Sequence, residues 1–257
     1  MFFMVLLLIP QQAFVQVPGL ARLPCVMRAL DWKPTVHTRT EILWISEYLT
    51  AVIWSFVSEA VKWLFQILKA EKIPVLLGGE HLVTLAAVRA VFNKYPDLHI
   101  IHFDAHADLR DDYLGARLSH ACVLRRCHEL LGDNRIHQFC IRSGERAEFQ
   151  FAARHTDFHP FTFDGLKETV RELKEKKVPV YFTIDLDCLD PSAFPGTGTP
   201  EAGGVSFLEL LEAIQTVSQT KVVGADVNEL APMLDVSGVS TATACKVLRE
   251  LLLAITK

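Results

Sequence analysis

Three short segments of the chain gather the side chains able to do chemistry. Asp104-Ala105-His106-Ala107-Asp108 places two carboxylates and an imidazole at alternate positions. Asp185-Leu186-Asp187 repeats that spacing and runs on into Cys188-Leu189-Asp190-Pro191. Gly78-Gly79-Glu80-His81 adds a histidine behind a glycine pair. Residues i and i+2 of an extended segment point the same way. Asp104, His106 and Asp108 can therefore reach one point, and so can Asp185 and Asp187. Taken singly, each has a plain reading. An aspartate after a strand caps a helix or closes a turn, a glycine pair makes a tight turn, and a lone histidine is a hydrogen-bonded core residue. Together they are harder to dismiss. Four carboxylates without a cation repel one another, and burying them unpaired is costly. A pair of divalent metal ions resolves that conflict. Six ligands of mixed carboxylate and imidazole type suit a hard or borderline ion such as Mn²⁺, and bridging carboxylates hold two such ions about 3.5 Å apart.

Each of the three segments follows an apolar run: Ile73–Leu77, Leu98–Phe103 and Pro179–Ile184. These runs, with Arg135–Ile141 and Lys221–Val227, are predicted strands. Helices are predicted at about Leu82–Asn93, Ser119–Leu131, Glu145–Arg154, Gly165–Lys177, Ser206–Gln219 and Ser240–Ile255. Apolar strands alternating with helices imply a mostly parallel sheet covered on both faces, a three-layer α/β/α fold. Such sheets keep their chemistry in loops at the carboxyl ends of strands. No repeat, low-complexity segment or linker divides the chain, so residues 1–257 are expected to form one domain.

Composition narrows the class further. With 257 residues, 50% hydrophobic and 22% charged, the chain can bury a sizeable core, unlike a disordered or collagen-like sequence. Its net charge of −4 gives no basic surplus for nucleic acid. The six cysteines are scattered without C-x-x-C pairs, which reads as reduced thiols. Met1–Ile9 is apolar but far short of the roughly 20 residues that span a bilayer. It lacks the basic start of a signal peptide, since the first basic residue is Arg22. A buried strand of the parallel sheet is the expectation there. Within Ile42–Leu68, Ser55, Glu59, Lys62, Gln66 and Lys69 form a polar stripe, so a packed amphipathic helix is expected and not a membrane span. The expected setting is soluble and cytoplasmic, with neither membrane nor nucleic acid as partner.

In order and content, G-G-E-H at Gly78–His81, D-A-H-A-D at Asp104–Asp108 and D-L-D-C-L-D-P at Asp185–Pro191 resemble the signatures of the ureohydrolases, the arginase and agmatinase family. The resemblance runs from about Ile73 to the C-terminus and leaves residues 1–70 outside the family pattern. It implies an arginase-like fold, a homotrimer or hexamer, and two Mn²⁺ per subunit. His81, Asp104, Asp108 and Asp185 would bind one ion, and Asp104, His106, Asp185 and Asp187 the other. Leu82 stands where the family usually has Ser. Because a metal-binding histidine needs its second nitrogen oriented, altered metal affinity is one expectation.

The implied reaction is hydrolysis of a guanidinium compound to urea and an amine. Two divalent ions bring the pKa of a shared water towards neutrality. Asp108 would orient that nucleophile and accept its proton, and His120 resembles the family's proton shuttle. Glu229, in Asp226-Val227-Asn228-Glu229, resembles the glutamate that holds the guanidinium. A cationic substrate fits such an anionic site. Thr197–Gly204, Ser119–Arg126 and Asp226–Pro232 look more like agmatinase than arginase. So does Arg142–Arg146, to which no catalytic role is assigned. The stretch Leu109–Ala116 lacks the Asn and Ser that arginases use to grip an amino-acid head. Agmatine, giving putrescine and urea, is thus the leading substrate. Guanidinobutyrate is the alternative if Arg110 or Arg117 admits its carboxylate. Arginase activity, a related single-zinc deacetylase, and a weakly active ureohydrolase-like subunit are the other readings.

Overall fold

The computed structural model describes residues 5–8 and 63–256. Most of the expected helix Ile42–Leu68 and most of residues 1–70 lie outside them. Seven strands form one sheet: β1 (Val5–Leu8), β2 (Pro74–Leu77), β3 (His99–Phe103), β4 (Ile136–Ile141), β5 (Asp157–Pro160), β6 (Pro179–Asp185) and β7 (Lys221–Asn228). Their spatial order is β1-β2-β7-β6-β3-β4-β5. The last six run parallel. A helical turn at 63–69 is α1. The other helices are α2 (Val83–Lys94), α3 (Val123–Leu131), α4 (Arg146–His155), α5 (Leu166–Lys176), α6 (Phe207–Val217) and α7 (Val239–Ile255).

The strands form where both faces can be buried. All seven residues of β6 and all six of β4 are buried. Alternate residues go to opposite faces. Ile100 and Tyr181 pack with α2, α3 and the residues of α1, whereas Ile101, Val180 and Phe182 pack with α5, α6 and α7. Each fully buried Leu, Ile or Phe contributes about 1.5–3 kcal/mol, and the two clusters together make the three layers. Helix starts are written locally. In α6, Ser206 Oγ accepts from Glu209 N while Glu209 Oε2 accepts from Ser206 N, a reciprocal cap.

Register places the three motifs side by side. Phe103 pairs with Ile184, so Asp104 emerges beside Asp185. Asp185 pairs with Asn228, and Leu77 with Val227. Glu229 and the G-G-E-H turn therefore leave the same edge. From β3 the chain steps outward through β4 and β5, then returns to lay β6 on the opposite side. The crevice lies at that reversal. Gly78 closes against β7, and a Cβ there would overlap the Asn228 side-chain oxygen.

Three details differ from the sequence expectations. The apolar N-terminal run supplies β1, but antiparallel to β2 at the sheet edge and not as a parallel strand; strand direction is set by the partner and by the connection. Short β5 was not expected from its polar Asp157-Phe158-His159-Pro160 and exists by pairing with β4. The helix expected at Ser119 begins as a 3₁₀ turn, His120–Cys122. Cys122, Cys127, Cys140, Cys188 and Cys245 are free thiols. No helix among the described residues is long and apolar enough to cross a membrane.

Candidate active site

The loops after β2, β3, β6 and β7 surround a cavity of about 220 Å³. His81, His106, Asp108, Asp185, Asp187, His120 and Glu229 line it, and Asp104 lies buried beneath. His81 Nδ1 sits 3.2 Å from Asp104 Oδ2, 3.1 Å from Asp108 Oδ2 and 3.2 Å from Asp185 Oδ2. His106 Nδ1 lies 3.0 Å from Asp187 Oδ2 and 3.4 Å from Asp104 Oδ1. These atoms approach closely, yet His81 Nδ1 and Asp187 Oδ2 have no hydrogen bond of acceptable direction. Buried polar atoms are rarely left so. Convergence on a common point without mutual hydrogen bonds is what ligand atoms around a cation do. Of the three groups among the described residues that could hold a metal ion, two lie at this cavity: His81, His102, Asp104 and Asp108, and Asp104, His106 and Asp187; the third, His128, Asp133 and His155, lies apart from it. Asp104 belongs to both groups at the cavity. Asp185 meets the first group through His81. Carboxylate and imidazole donors in this number fit divalent ions.

Charge explains the titration of the cluster. Burial, then repulsion from Asp187 and Asp104, pushes the Asp185 carboxyl well up. Burial likewise raises Asp187 to about 6. Burial also works against the charge on Asp104, but His102, His106 and His81 overcome it and hold Asp104 well below the usual carboxylate range. Burial works against protonation of His106, yet Asp104 and Asp187 raise it to about 12. Burial works against protonation of His81 as well, yet carboxylates of the cluster raise it, so without metal His81 and His106 carry the compensating positive charge.

Backbone geometry aims the remaining groups. Asp108 and Glu229 both adopt left-handed φ, 53° and 64°, a conformation costing non-glycine residues about 1–2 kcal/mol. The Asp108 carbonyl is held by Leu124 N and Arg125 N at the start of α3, at 3.0 and 3.2 Å. Glu229 Oε1 accepts from His81 N at 2.9 Å. Burial, then the Glu80 charge, raises Glu229 to about 7. His120, half-exposed at the rim, places Nδ1 3.3 Å from Glu80 Oε1. That contact raises its pKa.

All the sequence-expected site residues therefore surround one cavity or underlie it. Several partners were not foreseen. Thr183 Oγ1 lies 3.0 Å from His81 Nε2 and supplies the second contact that Leu82 cannot. Buried Asp226 accepts from Tyr181, Thr84 and Asn228 at 2.6, 2.8 and 2.7 Å. His102 and Gln138 stand behind Asp104. Arg142 gives its whole guanidinium to backbone carbonyls, among them Asp187 O and Glu201 O at 2.8 Å each. The signal for His102, Gln138, Thr183 and Asp226 was a polar residue at a buried position of a mostly apolar strand. Arg110 does line the cavity, but Glu145 and Glu148 hold it at 3.0 and 3.3 Å. Arg117 pairs with Glu129 at 2.8 Å and does not line it.

The sequence pattern of the Arginase family matches residues 46–254. Agmatinase of Bacillus subtilis strain 168 is 46% identical over 195 residues, which are 74% of this chain and 67% of the relative. The N(1)-aminopropylagmatine ureohydrolase of Thermococcus kodakarensis is 44% identical over 165 residues, 62% of this chain and 54% of that protein. Among solved structures, the agmatine ureohydrolase of Thermoplasma volcanium superposes with a TM-score of 0.70 at 34% identity, covering 79% of this chain and 69% of that one.

Proposed function

The chain belongs to the arginase family, and from that premise we propose that it hydrolyses agmatine to putrescine and urea with two Mn²⁺. The observation that carries the reading is Asp104 shared between two convergent ligand groups. In this reading His81, Asp104, Asp108 and Asp185 hold one cation, and Asp104, His106, Asp185 and Asp187 the other. When bound, the ions supply the Lewis acidity that makes water nucleophilic near neutral pH.

The chain's own residues do the rest. Glu229, fixed by the His81 amide, accepts N–H groups of the guanidinium and sets its plane across the cavity. Asp108 orients the attacking water and takes its proton. His120, whose Nδ1 faces Glu80, uses its other nitrogen to protonate the departing amine. The substrate end remote from the reaction meets an arginine already neutralised by Glu145 and Glu148. A carboxylate gains little there, which favours agmatine over arginine or guanidinobutyrate. Similarity to the Thermococcus kodakarensis protein makes a guanidine with a longer amine tail the second substrate to try.

The reading extends to one domain over residues 1–257, working in the cytoplasm as a homotrimer or hexamer. The exposed side chains of Met233, Leu234, Val236 and Val239 suit such assembly. The test is urea release by Mn²⁺-loaded protein from agmatine, N(1)-aminopropylagmatine, guanidinobutyrate and arginine, with bound metal counted. Two metals and preference for agmatine are expected. Two metals with a stronger response to another guanidine would replace the substrate, and no metal would sink the reaction.

A further inference from the structure

Behind the shared carboxylate lies a chain of buried polar groups, His102 and Gln138, that does not line the cavity. His102 is on β3 and Gln138 on β4, paired directly across the sheet. Both are fully buried. Polar side chains in the middle of apolar strands lower stability unless their hydrogen bonds are met, and here every bond is accounted for. Gln138 Nε2 lies 2.8 Å from the Ala107 carbonyl. A carbonyl can only accept, so the amide must turn its NH₂ that way. Its oxygen then faces Thr156 Oγ1, which donates at 3.2 Å. The same NH₂ donates to His102 Nδ1 at 3.1 Å. With Nδ1 accepting, the ring hydrogen is on Nε2, and Nε2 faces Asp104 Oδ2 at 2.8 Å.

We propose that His102, locked by Gln138, is a positioning residue that presents one oxygen of Asp104 to each of two metal ions. The proposal rests on the two-metal reading above. Asp104 Oδ2 takes the His102 N–H, and Oδ1 takes the His106 backbone N–H at 2.6 Å. A carboxylate oxygen has two lone-pair directions. With one direction on each oxygen filled by a protein donor, the other is left to point at a ligand group. Oδ2 is the oxygen beside His81, and Oδ1 the oxygen beside His106. Rotation of the carboxylate would break both donor bonds, so the split between the two groups is built into the fold. Although His102 Nε2 lies within ligand range of the first group, its hydrogen is committed to Asp104. It therefore acts through Asp104 and not on the metal.

The experiment measures Mn²⁺ binding to metal-free protein by titration calorimetry, with the electron-resonance signal of the ion pair as a second readout. H102Q carries an amide nitrogen to about the place of Nε2 and is expected to keep wild-type affinity. H102N is polar but too short to reach Asp104. It is expected to lose about ten- to a hundredfold in affinity, as for the loss of an outer partner of a ligand. Its turnover should recover at saturating Mn²⁺, with KM for the guanidine unchanged. A folded H102N that binds both ions as tightly as wild type overturns the proposal. If H102N does not fold, Q138M decides. It leaves His102 and Asp104 in place, and unchanged Mn²⁺ affinity in that variant is equally fatal. Wild type that binds no Mn²⁺ removes the two-metal reading and this inference with it. Tight binding in wild type and H102N alike removes the inference alone.

Discussion

At the scale of residues, His120 and Glu80 form a pair whose consequences can be measured. The carboxylate 3.3 Å from His120 Nδ1 favours the charged ring. A proton donor loses its function as pH rises through its own pKa. Replacing Glu80 by Gln lowers the His120 pKa, so the alkaline limb of the kcat profile should move to lower pH. His120→Ala should keep both metals yet lower kcat by about 10²–10⁴, the range for loss of a general acid. Unchanged turnover with agmatine would remove His120 from the mechanism. Glu229→Gln should mostly raise KM, because a buried charge pair is worth about 2–5 kcal/mol when one partner is truncated. Glu229 was legible in the sequence because it lies just past a strand in a segment that resembles the family's, and His120, which opens a 3₁₀ turn, only through that resemblance. His102 and Thr183 were not. Each lies inside a mostly apolar run, and only the register shows that it stands behind a ligand.

At the scale of elements, the strands were legible because burial on both faces demands nearly continuous apolar runs, as in Pro179–Ile184. Less was legible where an element depends on its neighbour. β5 is polar and survives through pairing with β4 and through Asp157, which His137 and His159 hold at 2.9 Å each. Arg142 is the clearest case. Alone it is an arginine after a strand. In the fold it ties the loop after β6 to the loop at Glu201 and Ala202, with acceptors Asp187 O, Cys188 O, Leu189 O, Glu201 O and Ala202 O. Lysine keeps the charge but not the planar fork. Arg142→Lys should therefore destabilise the protein by about 1–3 kcal/mol for each carbonyl left buried without a donor. Amide exchange should quicken at 187–189 and 201–202 before the rest of the chain. Wild-type protection in both segments would contradict the tie.

At the scale of the whole molecule, a centre with more buried negative charge than its imidazoles can balance must couple folding to pH and to metal. Without metal, burial raises Asp187 to about 6 and Glu229 to about 7. Between their unfolded values near 4 and these folded values, the native state binds more protons than the unfolded one. Stability must then fall as pH rises through that window. His106 adds to the slope. Its folded pKa of about 12 gives stability that is complete below its unfolded value of about 6.5 and is lost as pH climbs towards 12. Cations reverse the argument, because they compensate the ionised carboxylates and displace protons from the imidazoles, so their affinity rises with pH. Mn²⁺ at a hundred times its Kd adds about 2.7 kcal/mol for one site. Urea midpoints at pH 5 and 7.5 should therefore fall with pH in the metal-free protein and hold or rise with Mn²⁺ present. A metal-free protein that gains stability over that interval would mean the carboxylates are not compressed together as the structure has them, and the case for a two-cation centre would lose its electrostatic basis.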